Sequence, residues 1–293
     1  MPFGGSVPEA LSSGSGGSYG EGMRSSPSGP VLVRSLPIVI LVLVASIAGL
    51  VAPGTYAQET ANWAIQAQGQ DIGNLLAVVV LVAAAQAHRR GSARAGQVWL
   101  GTLTYLVYAF IVYAFAVHFT ALFPVYVAVL GLSAWSIIFH VDGLRSPAPR
   151  YPAGRWRTAA AIFLVSTGLL FAALWLAELV PALVRGQTPA SITEAGLWVN
   201  PIHVIDLSMV LPGFVLTGIA ALRGRPFGLF WLGPWLVFSV LMGSSIVAAM
   251  VLMAAGGWAD VVAPMLMVSV VVLASLAVVA GWLGRSVEVR RAG

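Results

Sequence analysis

The chain has 293 residues, of which 59% are hydrophobic and only 9% charged, against the roughly one quarter charged that soluble domains carry, and a water-exposed surface cannot absorb that excess. It contains no Cys, which excludes disulfides, thiolate metal sites, iron–sulfur clusters and covalently attached haem, and no Lys, which excludes a Schiff base to retinal or pyridoxal phosphate and the lysine of an ATP-hydrolysing P-loop. The net charge of +5 is carried by arginines scattered over short segments between apolar runs, a distribution that reads as membrane topology and not as a nucleic-acid footprint.

Residues 1–33 are rich in Gly, Ser and Pro without apolar periodicity, which predicts a disordered cytoplasmic tail. Residues 34–285 hold eight apolar segments, at about 34–52, 71–87, 97–117, 121–140, 158–183, 201–222, 228–254 and 261–284, each matching the length that spans a hydrocarbon layer of about 30 Å. Breakers such as Pro53-Gly54, Gly186 to Pro189 and Gly256-Gly257 separate them, and residues 286–293 form a short basic tail.

Alternating the loops places Arg24, Arg34, Arg89, Arg90, Arg94, Arg145, Arg150, Arg155, Arg157, Arg223, Arg225, Arg285, Arg290 and Arg291 on one face. Only Arg185 falls on the other. The positive-inside rule then predicts an all-α, polytopic bundle in the cell inner or plasma membrane with both termini cytoplasmic. A rival reading takes Arg34, the apolar run, Pro53 and Thr55-Tyr56-Ala57 as a cleavable signal peptide, which leaves seven spans and an outside N-terminus. No internal repeat relates the first four spans to the last four.

Ionisable residues inside a membrane are costly, at about 3 kcal/mol or more at mid-bilayer, so their positions point to function. Asp71 and Asn74 share a face at the outer start of the second span, where N-terminal capping is the simplest role for Asp71. The third span carries Tyr105, Tyr108 and Tyr113 as packing or interfacial aromatics and ends outside at His118. Glu178 lies about 20 residues past the inner start of the fifth span, near the outer boundary and beside Trp175.

Asn200, His203 and Asp206 recur every three residues at the outer start of the sixth span and so share a helix face. Asn200 before Pro201 has the pattern of an N-cap with proline in the first turn. His203 and Asp206 fit either a structural pair or a site, because Asp206 lies roughly 8 Å below the helix start and needs a partner or a wet cavity at that depth.

Convergence of His118, Glu178, His203 and Asp206 at the outer mouth would supply ligands suited to zinc or another divalent transition metal, although no tight ligand spacing is present. His118 and His203 also form the one outer histidine pair available to a b-type haem. Ser244-Ser245 lacks a histidine in its own span and reads as a close-packing site, while His88, His140 and Asp142 read as interfacial polar residues.

Gly69-Gln70-Asp71, the Tyr-rich third span through Phe123 to Tyr126, Trp175-Leu176-Ala177-Glu178 and Asn200-Pro201-Ile202-His203-Val204-Ile205-Asp206-Leu207 resemble a family of bacterial multi-pass membrane proteins over about residues 68–245. Phe119-Thr120-Ala121-Leu122-Phe123 departs from the Phe-Asn-Pro-Leu-Phe pattern expected there. The resemblance implies an integral membrane fold and no activity.

Three functions fit the sequence. The first is a transporter or permease in which Asp71, Asn74, His118, Glu178, Asn200, His203 and Asp206 provide an outward-facing site for a cation, proton or small solute. The second is a non-catalytic membrane subunit or sensor, and the third a membrane-embedded enzyme with an outward-facing metal or haem. The lipid bilayer is the partner common to all three, and none involves nucleic acid.

Overall fold

A computed structural model describes residues 29–145 and 149–287. Nine helices are present among them: α1 Gly29–Val51, α2 Ala61–Arg89, α3 Ala93–Ala116, α4 Phe123–Arg145, α5 Arg155–Arg185, the short α6 Ala190–Glu194, α7 Pro201–Leu222, α8 Pro226–Ala255 and α9 Val262–Arg285. All except α6 are long and apolar enough to cross a membrane, the architecture of a multi-pass membrane protein. Large side chains such as Phe139, Leu216, Val270 and Leu273 stand exposed, as a lipid-facing surface requires.

Two boundaries differ from the sequence expectation. The apolar run of α1 begins before Arg34, with Val31, Leu32 and Val33 already helical, so the expected tail of residues 1–33 is too long at its C-terminal edge, and residues 1–28 lie outside those described. The second span starts at Ala61, ten residues before the expected start at Asp71. Thr60 caps it by accepting a hydrogen bond from the Trp63 N–H at 3.2 Å. Asn62, Gln66, Gln70 and Asn74 make one stripe of the added turns polar, with Gln68 off it, and these side chains lower hydropathy without lowering helical stability.

The helices form two groups. Helices α1–α4 pack in sequence and close through α1 against α4, while α5, α7, α8 and α9 pack in sequence and close through α9 against α5. The groups are joined where α8 lies along α2 and α3. At that seam Gly69 meets the backbone of Ala249, Gly73 meets Ser245 and Gly101 meets Pro234, so closely that an added methyl group would overlap each partner. Small residues of this kind let helix backbones approach where lipid provides no hydrophobic drive for association.

Two chemically distinct ends result. At one, the Arg34 guanidinium reaches His140 at 3.3 Å, the Trp99 indole donates to Ser35 Oγ at 2.8 Å, Gln97 donates to the Tyr151 hydroxyl at 3.0 Å, and Arg285 lies 4.4 Å over the Trp156 ring. An antiparallel bridge between Arg150 and Val287 ties the chain together there. Every described arginine except Arg185 belongs to this end, whereas Glu59, Asp71, Glu178 and Asp206 lie toward the other.

Gly69→Val is expected to destabilise the bundle by about 1–3 kcal/mol through overpacking against Ala249, measured as a lowered melting midpoint of the purified protein. Gly131→Ala, which adds a methyl group into open space, is the control and is expected to leave the midpoint unchanged or higher.

Candidate functional site

The early start of α2 places Asp71 about 15 Å down the helix at 1.5 Å per residue, so it is an interior residue and not the expected N-cap. Its carboxylate is 1% exposed and uses both oxygens: Tyr56 donates to Oδ2 at 2.7 Å and Tyr113 donates to Oδ1 at 2.8 Å. Gly49 of α1 leaves the room, since any side chain there would collide with the carboxylate. Loop 52–60, α2 and α3 are therefore pinned through one buried acid.

A polar chain leads away from Asp71. Asn74 Nδ2 approaches the Tyr113 hydroxyl at 3.5 Å, the Tyr105 hydroxyl donates to Asn74 Oδ1 at 3.1 Å, Gln70 donates to Tyr105 at 2.6 Å, and Ser245 of α8 donates to Gln70 at 3.2 Å. Tyr105 and Tyr113, read from sequence as packing, are thus hydrogen-bonding members of the core. Their eight-residue spacing in α3, facing the stripe of α2, is the signal that marks them.

At the mouth, His118 is half-exposed and engaged by Glu59, whose carboxylate accepts from the His118 backbone N–H at 2.7 Å and meets Nδ1 at 3.0 Å. The Trp63 indole donates to the Ala116 carbonyl at 2.6 Å just below. His118 is therefore part of the clasp between α2 and α3.

Asn200 caps α7 as expected, accepting from the Ile202 N–H at 2.9 Å. His203 is buried with its ring 4.6 Å from that of Trp175 and its Nε2 3.9 Å from Glu178, which also accepts from Ser191 of α6. Neither ring nitrogen of His203 has a hydrogen-bond partner among the described residues. Asp206, one turn lower, accepts from the Trp175 indole at 2.8 Å, with the Tyr108 hydroxyl also in reach.

Asp206 opens a π-helical turn, Asp206–Val210, in which the Leu211 N–H closes on the Asp206 carbonyl. Proline at 212 has no N–H to offer the Ser208 carbonyl, which breaks the regular ladder and leaves room for the wider turn. The helix resumes at Leu211 and continues to Leu222.

Between the two helix groups lies a cavity of about 430 Å³. Gln66, Gln70 and Ser245 give it one polar side, and Tyr108, Phe171, Trp175, Phe214 and Phe238 line it with aromatic rings. Asp206 contributes its carboxylate to the wall, and Tyr113 connects the wall to Asp71.

Of the residues singled out in the sequence, Asp206 lines this chamber, and Asp71 and Asn74 join it through the tyrosine and glutamine chain. Asn200, His203 and Glu178 stand behind Trp175, and His118 lines a separate cleft with Gly196 and Trp198. Among the described residues no three His, Asp or Glu side chains gather with metal-holding spacing, so His118, Glu178, His203 and Asp206 do not converge as one ligand set.

Asp71→Leu leaves the Tyr56 hydroxyl buried without its acceptor, whereas Tyr113 can still donate to the Ala67 carbonyl at 3.2 Å. The expected loss of about 1–3 kcal/mol would appear as a lowered denaturation midpoint in detergent, with Asp71→Asn losing less because its amide oxygen still accepts one bond.

No protein-family model, no curated protein and no solved structure matches this chain.

Proposed function

We propose that the protein is a small-solute transporter of the cell membrane, with both termini cytoplasmic and a binding chamber reached from the opposite side. The observation that carries this reading is Asp206, a carboxylate in the wall of a chamber enclosed by membrane-spanning helices. Holding a carboxylate in that setting is costly, and evolution retains such groups where they meet an ion or substrate. No arginine or histidine nitrogen lies within ion-pair distance of Asp206 among the described residues, so no cationic side chain competes with a bound cation for this carboxylate.

The interruption of α7 supports the same reading, since discontinuous helices mark solute sites in secondary transporters and single π-turns recur at functional positions. The arginine-rich half of the bundle is tightly filled, with Trp99, Leu100, Leu103 and Trp282 fully buried. None of these four side chains lines the chamber, whose walls come from the carboxylate-bearing half, and this supports a carrier loaded from that end.

Reconstitution into liposomes tests the reading. Wild-type protein is expected to give saturable uptake for at least one member of a panel of inorganic and organic cations, and Asp206→Asn to lower it at least about tenfold, the loss of one charge-assisted contact. Absence of uptake across the panel, or full uptake by Asp206→Asn, overturns it.

A further inference from the structure

Resting on the transporter reading, we propose that the chamber takes a lipophilic monovalent organic cation, whose charge is met by the Asp206 carboxylate and whose apolar body lies among the aromatic rings of α3, α5 and α8.

The class of cargo follows from what surrounds the charge. An inorganic cation stripped of water requires several oxygen ligands, about six to eight for calcium and six for magnesium. On its own helix Asp206 is flanked in the chamber wall by Ile202, Val210 and Leu211, and one carboxylate oxygen already accepts from the Trp175 indole. The oxygens of Gln66, Gln70 and Ser245 belong to the α2 and α8 side, too few and too dispersed over two other helices to form such a shell about this carboxylate. A delocalised or alkylated cation needs no such shell, because its charge is weakly hydrated and spread over carbon.

The rings supply the remainder. Tyr108 lies within reach of Asp206, Trp175 binds it directly, and Phe171 is one helical turn from Trp175 on the same face of α5. Aromatic faces carry negative electrostatic potential and attract organic cations, most strongly where water is excluded. Tyr108 is held edge-on to Phe238 at 5.5 Å, so the ring wall is ordered before any ligand enters.

Size and net charge agree. A volume of about 430 Å³ falls within the usual range of small-molecule pockets, roughly 300–1,000 Å³. One unneutralised carboxylate selects a single positive charge. An anion would face Asp206 without any chamber-lining arginine, and a neutral solute would leave the carboxylate without a counter-charge.

The test is equilibrium binding to purified protein in nanodiscs, using tetraphenylphosphonium against the neutral triphenylphosphine oxide. The expected result is saturable one-to-one binding of the cation, weakened at least about tenfold by Asp206→Asn, with the neutral compound affected less than twofold. Asparagine keeps an oxygen for the Trp175 indole, and an unchanged melting curve establishes that the variant is folded. Phe171→Leu, which removes a ring and keeps apolar volume, is expected to weaken the cation by about two- to fivefold and the neutral compound by less.

Equal affinity for the two probes, or a cation affinity unmoved by a folded Asp206→Asn, overturns the proposal. Saturable binding of the cation without uptake, above protein-free liposomes, of any member of the cation panel upholds this ligand class and overturns the transporter reading. Uptake of an inorganic or neutral solute by protein that does not bind the cation overturns this ligand class and upholds the transporter reading.

Discussion

The contact of α8 with α2 and α3 is the constraint on which the rest of the molecule depends. Each four-helix group closes on itself, and the two meet along a line where Gly69, Gly73 and Gly101 bring backbone against backbone. In lipid there is no water to expel from such a seam, so its stability rests on close packing and on hydrogen bonds that cross it, of which Ser245 to Gln70 is one. The chamber is the space left where the groups diverge from this line. Ser245 and Ala249, the partners of Gly73 and Gly69 on that line, also line the chamber, so the close approach at the seam positions one of its walls.

Two carboxylates at the same end of the bundle have opposite environments. Asp71 has both oxygens occupied by tyrosine hydroxyls and is sealed from the surroundings, which makes it a fastener between loop 52–60, α2 and α3. Asp206 has the Trp175 indole on one oxygen and the Tyr108 hydroxyl in reach, but it lines a cavity where Asp71 does not. The contrast separates the residue that holds the architecture from the residue available to a ligand, although the two are chemically identical. Trp175 links Asp206 to buried His203 and its half-buried neighbour Glu178, so the ring that lines the chamber is itself held from behind.

Hydropathy made the eight spans legible, because a run of about 20 apolar residues matches the thickness of a bilayer and few soluble cores accommodate it. It failed at the start of α2, where Asn62, Gln66, Gln70 and Asn74 lower the local average although they occupy one stripe of an otherwise ordinary helix. Asn200 was legible as a cap since capping is local, a matter of one side chain and the next two residues. The pairings of Tyr113 with Asp71, His118 with Glu59 and Trp175 with Asp206 span 42, 59 and 31 positions, and only the packing of helices decides them. The π-turn at Asp206 was hidden for a related reason: Pro212 announces an interruption of the ladder, but the surrounding helices decide whether the chain kinks or widens.

The opposite end of the molecule has its own consequence. Every basic side chain other than histidine is an arginine, and at that end Arg145 and Arg285 lie over the rings of Phe230 and Trp156 at 5.5 and 4.4 Å. A guanidinium does not lose its proton in any compartment a cell maintains, whereas an ammonium near lipid can. The planar donors of these guanidinium groups suit the paired oxygens of phospholipid headgroups, so this end of the bundle can engage a lipid surface by directed hydrogen bonds as well as by charge.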